Sequence, residues 1–101
     1  MPETITAIFD KRRCSNGHVL QAARTVAANQ RWRVLGHVLQ EHRLQLHVSA
    51  NGYGTVHITA KDIPALPYGI LELEFEAKGR KGAEALRQQL LRMLPRPAFG
   101  G

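Results

Sequence analysis

Residues 43–60, RLQLHVSANGYGTVHITA, read as two strands joined by a turn. Leu44, Leu46 and Val48 alternate with Arg43, Gln45, His47 and Ser49, and Val56, Ile58 and Ala60 alternate with Thr55, His57 and Thr59. A strand with one buried face leaves this period of two. Asn51-Gly52-Tyr53-Gly54 lies between the runs, and Asn and Gly tolerate the positive φ of tight turns. The alternation also predicts the register. A two-residue Asn51-Gly52 turn sets Val48 opposite Thr55 and mixes the faces. A three-residue loop, 51–53, sets Val48 opposite Val56, Leu46 opposite Ile58 and Leu44 opposite Ala60, with His47 opposite His57 on the outer face. A slip of one residue turns every apolar side chain into water, so the odd loop is expected.

The flanking segments fit around this hairpin. Residues 4–9, TITAIF, predict a first strand ending at the polar run Asp10-Lys11-Arg12-Arg13. Ser15 or Asn16 suits an N-cap, and Val19, Leu20, Ala23, Val26 and Ala27 form a helical stripe, so a helix is expected over 16–30. Residues 31–42, RWRVLGHVLQEH, read two ways. As a strand, Val34, Gly36 and Val38 face Val48, Leu46 and Leu44 across a Gln40-Glu41-His42 turn. As a helix, Leu35, Val38, Leu39 and His42 stand at i, i+3, i+4 and i+7. Gly36 and the Arg-Trp-Arg-Val run favour the strand, which leaves Leu35 and Leu39 as an outward apolar edge in need of a partner.

Residues 61–69, with two prolines and a glycine, read as a loop. Leu71, Leu73, Phe75 and Ala77 then alternate with Glu72, Glu74 and Glu76 as a further strand. Lys78-Gly79-Arg80-Lys81-Gly82 breaks it. Ala83, Leu86, Leu90 and Leu94, with Leu91 and Met93 beside them, predict an amphipathic helix that Pro95 stops. The expected class is α+β: an antiparallel sheet of four to five strands with two helices on one face. The order is β-α-β-β-β-β-α, or β-α-β-β-β-α if 31–42 is helical. Residues 1–95 are expected to form a single domain and 96–101 a flexible C-terminal tail.

The 101 residues contain one cysteine, no apolar run long enough to span a bilayer, and an N-terminal start, MPETITAIFDKRR, whose charges follow its apolar run. The expectation is a cytoplasmic protein without an internal disulfide, a signal peptide or a membrane span. The net charge of +6 is uneven: residues 1–42 hold six Lys/Arg and three acids, residues 43–77 two and four, residues 78–101 six and one. Basic ends around an acidic middle suit contact with phosphate or an acidic surface.

Two basic loops are the first candidate site. Lys11-Arg12-Arg13 and Lys78-Arg80-Lys81 each stand between a strand end and a helix start, where free N–H groups favour anions. Arg87 and Arg92 extend the second loop along the last helix. Whether the loops meet depends on strand parity: three strands after the first helix bring them to one end, and four set them at opposite ends if the first helix makes a true crossover. The second candidate is the outer face, where His47, His57, Glu72, Glu74 and Glu76 gather, with His37 diagonal to the pair if 32–39 is a strand. No HExxH or CxxC spacing accompanies them, and neither a metal nor another cofactor is expected. A solvated face, or one covered by a second subunit, is the plainer reading. Cys14, between three cations and a helix start, occupies the setting that lowers a thiol pKa. No Ser/His/Asp triad, phosphate-cradling glycine loop or catalytic carboxylate pair stands in the sequence, so an enzyme is not expected outside thiol chemistry at Cys14.

A basic β-α-β-β-β-α chain of this length resembles the ribosome-hibernation factors in topology, and its α-β-β-β-α part resembles a double-stranded RNA-binding domain. The likeness is one of element order. The second resemblance implies that Lys78, Arg80 and Lys81, at the start of the last helix, grip phosphates. Residues 5–18, ITAIFDKRRCSNGH, resemble the start of thioredoxin-like arsenate reductases, which implies a nucleophilic Cys14. The closing Phe99-Gly100-Gly101 resembles the end of ubiquitin-like and sulfur-carrier proteins, although a long helix just before it departs from their fold. The leading expectation is a non-enzymatic module that contacts RNA or a ribonucleoprotein through Lys11, Arg12, Arg13, Lys78, Arg80, Lys81, Arg87 and Arg92. The alternative is a protein-interaction domain, such as a homodimer or a phage or toxin–immunity type adaptor, with Trp32, Leu35, Leu39, His47 and His57 at its interface.

Overall fold

The computed structural model describes residues 3–64 and 69–95. The expected tail with its Gly100-Gly101, and residues 65–68 of the expected loop, lie outside them. The elements are β1 (Glu3–Asp10), α1 (Asn16–Gln30), β2 (Arg33–Gln40), β3 (Arg43–Ala50), β4 (Gly54–Ile63), β5 (Ile70–Ala77) and α2 (Arg80–Met93). The class is α+β in the order β-α-β-β-β-β-α, and residues 31–42 contain a strand. All neighbouring strands are antiparallel, in the spatial order β1-β5-β4-β3-β2. None of the described helices is long and apolar enough to cross a membrane.

Ala7, Phe9, Leu44, Leu46, Val48, Val56, Ile58, Ala60, Leu71, Leu73 and Phe75 line one face of the sheet. Against them pack Val19, Ala22, Ala23 and Val26 of α1 and Ala83, Leu86 and Leu90 of α2. The β3–β4 register follows the alternation: Val48 faces Val56, Leu46 faces Ile58, Leu44 faces Ala60 and His47 faces His57. The connecting loop is 51–53. Tyr53 N–H donates to Ala50 O at 2.8 Å, and Gly52 has φ 89°, the left-handed third position of a type II turn. Ser15 caps α1: its hydroxyl accepts from His18 N–H, and its own N–H donates to His18 Nδ1 at 3.1 Å.

Three expectations change. First, β2 carries a bulge. Val34 faces Val48, but Gly36 faces His47, His37 faces Leu46 and Leu39 faces Leu44. The extra residue, Leu35, reverses the parity of everything after it. Val38 therefore takes the outward place foreseen for Leu39, Leu39 and His37 lie on the helix side, and the turn shortens to Glu41-His42. Second, residues 61–63 continue β4, because Lys61, Asp62 and Ile63 pair with Glu72, Leu71 and Ile70. Third, α2 begins at Arg80, so Arg80 and Lys81 stand in its first turn and not in a loop.

Gly82 is what brings α2 down onto the hairpin loop. A Cβ there would stand 3.2 Å from Tyr53 Cβ and 3.3 Å from Tyr53 O. Gly82→Val is therefore expected to lower the unfolding free energy by about 1–3 kcal/mol through overpacking. Gly79, the N-cap of α2, has open space at its Cβ and no side chain to cap with. Gly79→Ser is expected to raise stability by about a few tenths of a kcal/mol. Urea denaturation of both variants checks the opposite signs.

Candidate nucleic-acid interface

The topology sorts the charge into layers. The two helices carry Arg24, Arg80, Lys81, Arg87 and Arg92 against a single acid, Glu84. The five strands carry Arg33, Arg43 and Lys61 against Glu3, Asp10, Asp62, Glu72, Glu74 and Glu76. One layer is thus basic and the other acidic, although neither is a continuous block in the sequence. Arg24, Arg80, Lys81 and Arg92 are exposed, and Arg87 is half-buried.

The two predicted basic loops lie at opposite ends of the sheet. β1 and β5 are antiparallel, with Asp10 facing Ile70 and Glu3 facing Ala77. Lys11–Arg13 follow one end of this pair and Lys78 the other, about 23 Å apart at about 3.3 Å per strand residue. They do not form a single compact site. α2 spans the interval. It packs over β1 and β5 and runs back from the Lys78 end, covering about 20 Å at about 1.5 Å per residue. Arg80 and Lys81 stand at its start, Arg87 near its middle and Arg92 in its last turn, at the same end as Arg12 and Arg13.

The cations are not equal. Lys11 Nζ lies 2.8 Å from Asp62 Oδ2, and His42 Nδ1 is 3.4 Å from the same oxygen. The Lys11 bond, reinforced by His42, holds the Asp62 carboxyl below its ordinary range. Arg12 grips Asp10 with Nη2 at 2.7 Å from Oδ2 and lowers that carboxyl to about 2. Arg80 Nε lies 2.7 Å from Glu84 Oε1, the i, i+4 pairing of a helix surface. Lys11 and Arg12 thus brace the sheet end.

Beside the basic helices lies an open cleft of about 400 Å³, lined by Gln30, Trp32, Asn51, Tyr53, Ala85, Gln88 and Gln89. The Trp32 and Tyr53 rings meet edge to face, with centroids 6.5 Å apart and an interplanar angle of 84°. Trp32 is half-buried against the core on the helix side. Four primary amides around two aromatic rings offer donors, acceptors and stacking surface together. The sequence reading did not single out Gln30, Asn51, Tyr53, Gln88, Gln89 or Arg24 as site residues. They come from α1, the hairpin loop and α2, and no spacing connects them.

The outer face holds His47 and His57 stacked 4.2 Å apart, centroid to centroid, with Glu76 opposite His57. His37 is absent from this group because the bulge turns it to the other face. Among the described residues no group of three or more His, Cys, Asp or Glu side chains is arranged to hold a metal ion. Leu35 and Val38 border the histidines and are 57% and 52% exposed. Cys14 reverses its expectation. It is wholly buried in the core, and burial pushes its thiol up to about 11 rather than down.

No protein-family model matches the chain, and no curated protein is similar enough to count as a relative.

Proposed function

We propose that the protein is a non-enzymatic RNA-binding module that lays its helix layer on the phosphate backbone and takes an unpaired base into the Trp32–Tyr53 cleft. The observation that carries this reading is the separation of charge, which gathers the basic side chains on the two helices. Lys78, Arg80, Lys81, Arg87 and Arg92 contact phosphates along α2, Arg12 and Arg13 continue the track at its far end, and Arg24 flanks it on α1. The amides and rings of the cleft suit single-stranded or looped RNA, whose bases are free to stack.

Titration with fluorescently labelled single-stranded RNA, followed by anisotropy, tests it. With roughly six to ten phosphate contacts, affinity should fall about 10³- to 10⁵-fold between about 50 and about 200 mM salt. Lys81→Glu and Arg92→Glu should each weaken binding and flatten that salt slope by about one unit, while Arg43→Glu on the outer face should leave it unchanged. Trp32 is the single tryptophan, so its fluorescence should be quenched by RNA with unpaired bases and not by a blunt duplex. An affinity indifferent to salt, or no anisotropy change at about 10 μM protein, sinks the reading.

A further inference from the structure

β2 is an edge strand, and no described strand pairs with its far side. Of the five large apolar side chains exposed among the described residues, Leu35, Val38 and Leu39 belong to this one strand. The opposite edge, β1, has none. An edge with free N–H and C=O groups and apolar side chains on both faces is a template for another strand.

We infer that this strand pairs with β2 of a second copy, antiparallel about a two-fold axis at His37, joining two five-stranded sheets into one. The bulge supplies the argument. Directly opposed residues in an antiparallel pair must share a face. In β2 the outward residues are Arg33, Leu35, Gly36, Val38 and Gln40, and the helix-side residues are Val34, His37 and Leu39. With His37 opposite its own copy, Gly36 meets Val38, Leu35 bulges beside that same Val38, Val34 meets Leu39, and Arg33 meets Gln40. Every pair shares a face, and the apolar side chains find apolar partners on both sides of the joined sheet. The strand is complementary to itself because it is bulged; without the extra residue, Val34 and Leu39 would fall on opposite faces.

Charge agrees with this register. Arg31 and Arg33 stand at one end of β2 and Glu41 at the other, and the Glu41 side chain is 88% exposed. Antiparallel pairing sets Glu41 of each copy opposite Trp32 of the other, one residue along from both Arg31 and Arg33. No pair of like charges is directly opposed. The two-fold axis stands perpendicular to the sheet, so both helix layers lie on one side and their basic surfaces adjoin.

Light scattering on the intact chain should give twice the 11.3 kDa of one chain at about 100 μM and less on dilution. Glu41→Arg and Arg33→Glu should each weaken the dimer by about tenfold through like charges crowded at adjoining strand ends, and the two together in one chain should restore it. A purely structural defect in either single variant would not be repaired by adding the other. Mild oxidation gives a second readout. The Cα atoms of opposed residues stand about 4.5–5.5 Å apart, within disulfide range. His37→Cys should therefore crosslink to its own copy, and Gln40→Cys, six or seven residues from its counterpart across the axis, should not. A strict monomer at about 100 μM overturns the inference, as does a dimer whose Gln40→Cys variant crosslinks while His37→Cys does not.

Discussion

Cys14 is expected to react with an aromatic disulfide reagent at neutral pH at least about a hundredfold more slowly than an unstructured cysteine. Only the thiolate attacks, and burial raises the Cys14 thiol from its ordinary 9.0 to about 11. Two units of pKa leave about a hundredfold less thiolate. The side chain is also wholly covered, so attack requires the core to open. Because the folded-state value is raised, the thiol's contribution to stability is fully present below the unfolded value near 9. It is lost as pH rises from there through about 11. The rate should rise to that of a free thiol in strong urea, and Cys14→Ala should flatten the alkaline limb of stability. Rapid labelling in native buffer would falsify this account and restore the thiol reading that the local sequence suggested.

Phe75→Ala is expected to lower the unfolding free energy by about 3–5 kcal/mol. Phe75 is fully buried on β5, which pairs with both β1 and β4 and carries α2 on its inner face. A cavity there opens beneath α2, in a molecule whose whole margin is expected to be about 5–15 kcal/mol. Leu35→Ala also removes a large apolar side chain, but from a site 57% exposed, and should change the stability of the monomer by no more than about 0.5 kcal/mol. Equilibrium urea unfolding at a concentration low enough to hold the chain monomeric measures both. Equal effects from the two variants would contradict the burial described above.

Much of this architecture can be read from the residues in order. The β3–β4 register follows from alternation, since only one odd loop keeps Leu44, Leu46, Val48, Val56, Ile58 and Ala60 on one face. The bounds of α1 follow from Ser15 and the apolar stripe. Residues 31–42 resist for a physical reason. The bulge at Leu35 and Gly36 converts a period of two into the spacing Leu35, Val38, Leu39, which imitates a helix turn. Cys14 resists because the neighbouring cations and helix start argue for a low pKa, while the tertiary structure buries the thiol and the larger effect wins. The start of α2 resists because Gly79 and Gly82 look like a break, and the close approach of Tyr53 that makes Gly82 useful lies 29 residues away in the chain. The cations of the candidate interface are visible as a count. Their gathering on one layer, and the meeting of Trp32 with Tyr53, exist only once the strands are ordered.

The division between a basic helix layer and an acidic sheet also acts before any contact is made. It gives the molecule a dipole with its positive end on the helix layer, so a polyanion such as the proposed RNA would exert a torque as well as an attraction. Under the proposed function, an RNA arriving helix-first would meet the basic layer directly, whereas one arriving sheet-first would meet a face where Asp10, Glu72, Glu74 and Glu76 are largely offset by Arg33, Arg43 and Lys61. Most of the cost of association between large molecules lies in finding the productive orientation, and the dipole shortens that search. At about 0.1 M salt its reach is about 10 Å, roughly the thickness of one helix, so the turning happens within the last moments of an encounter.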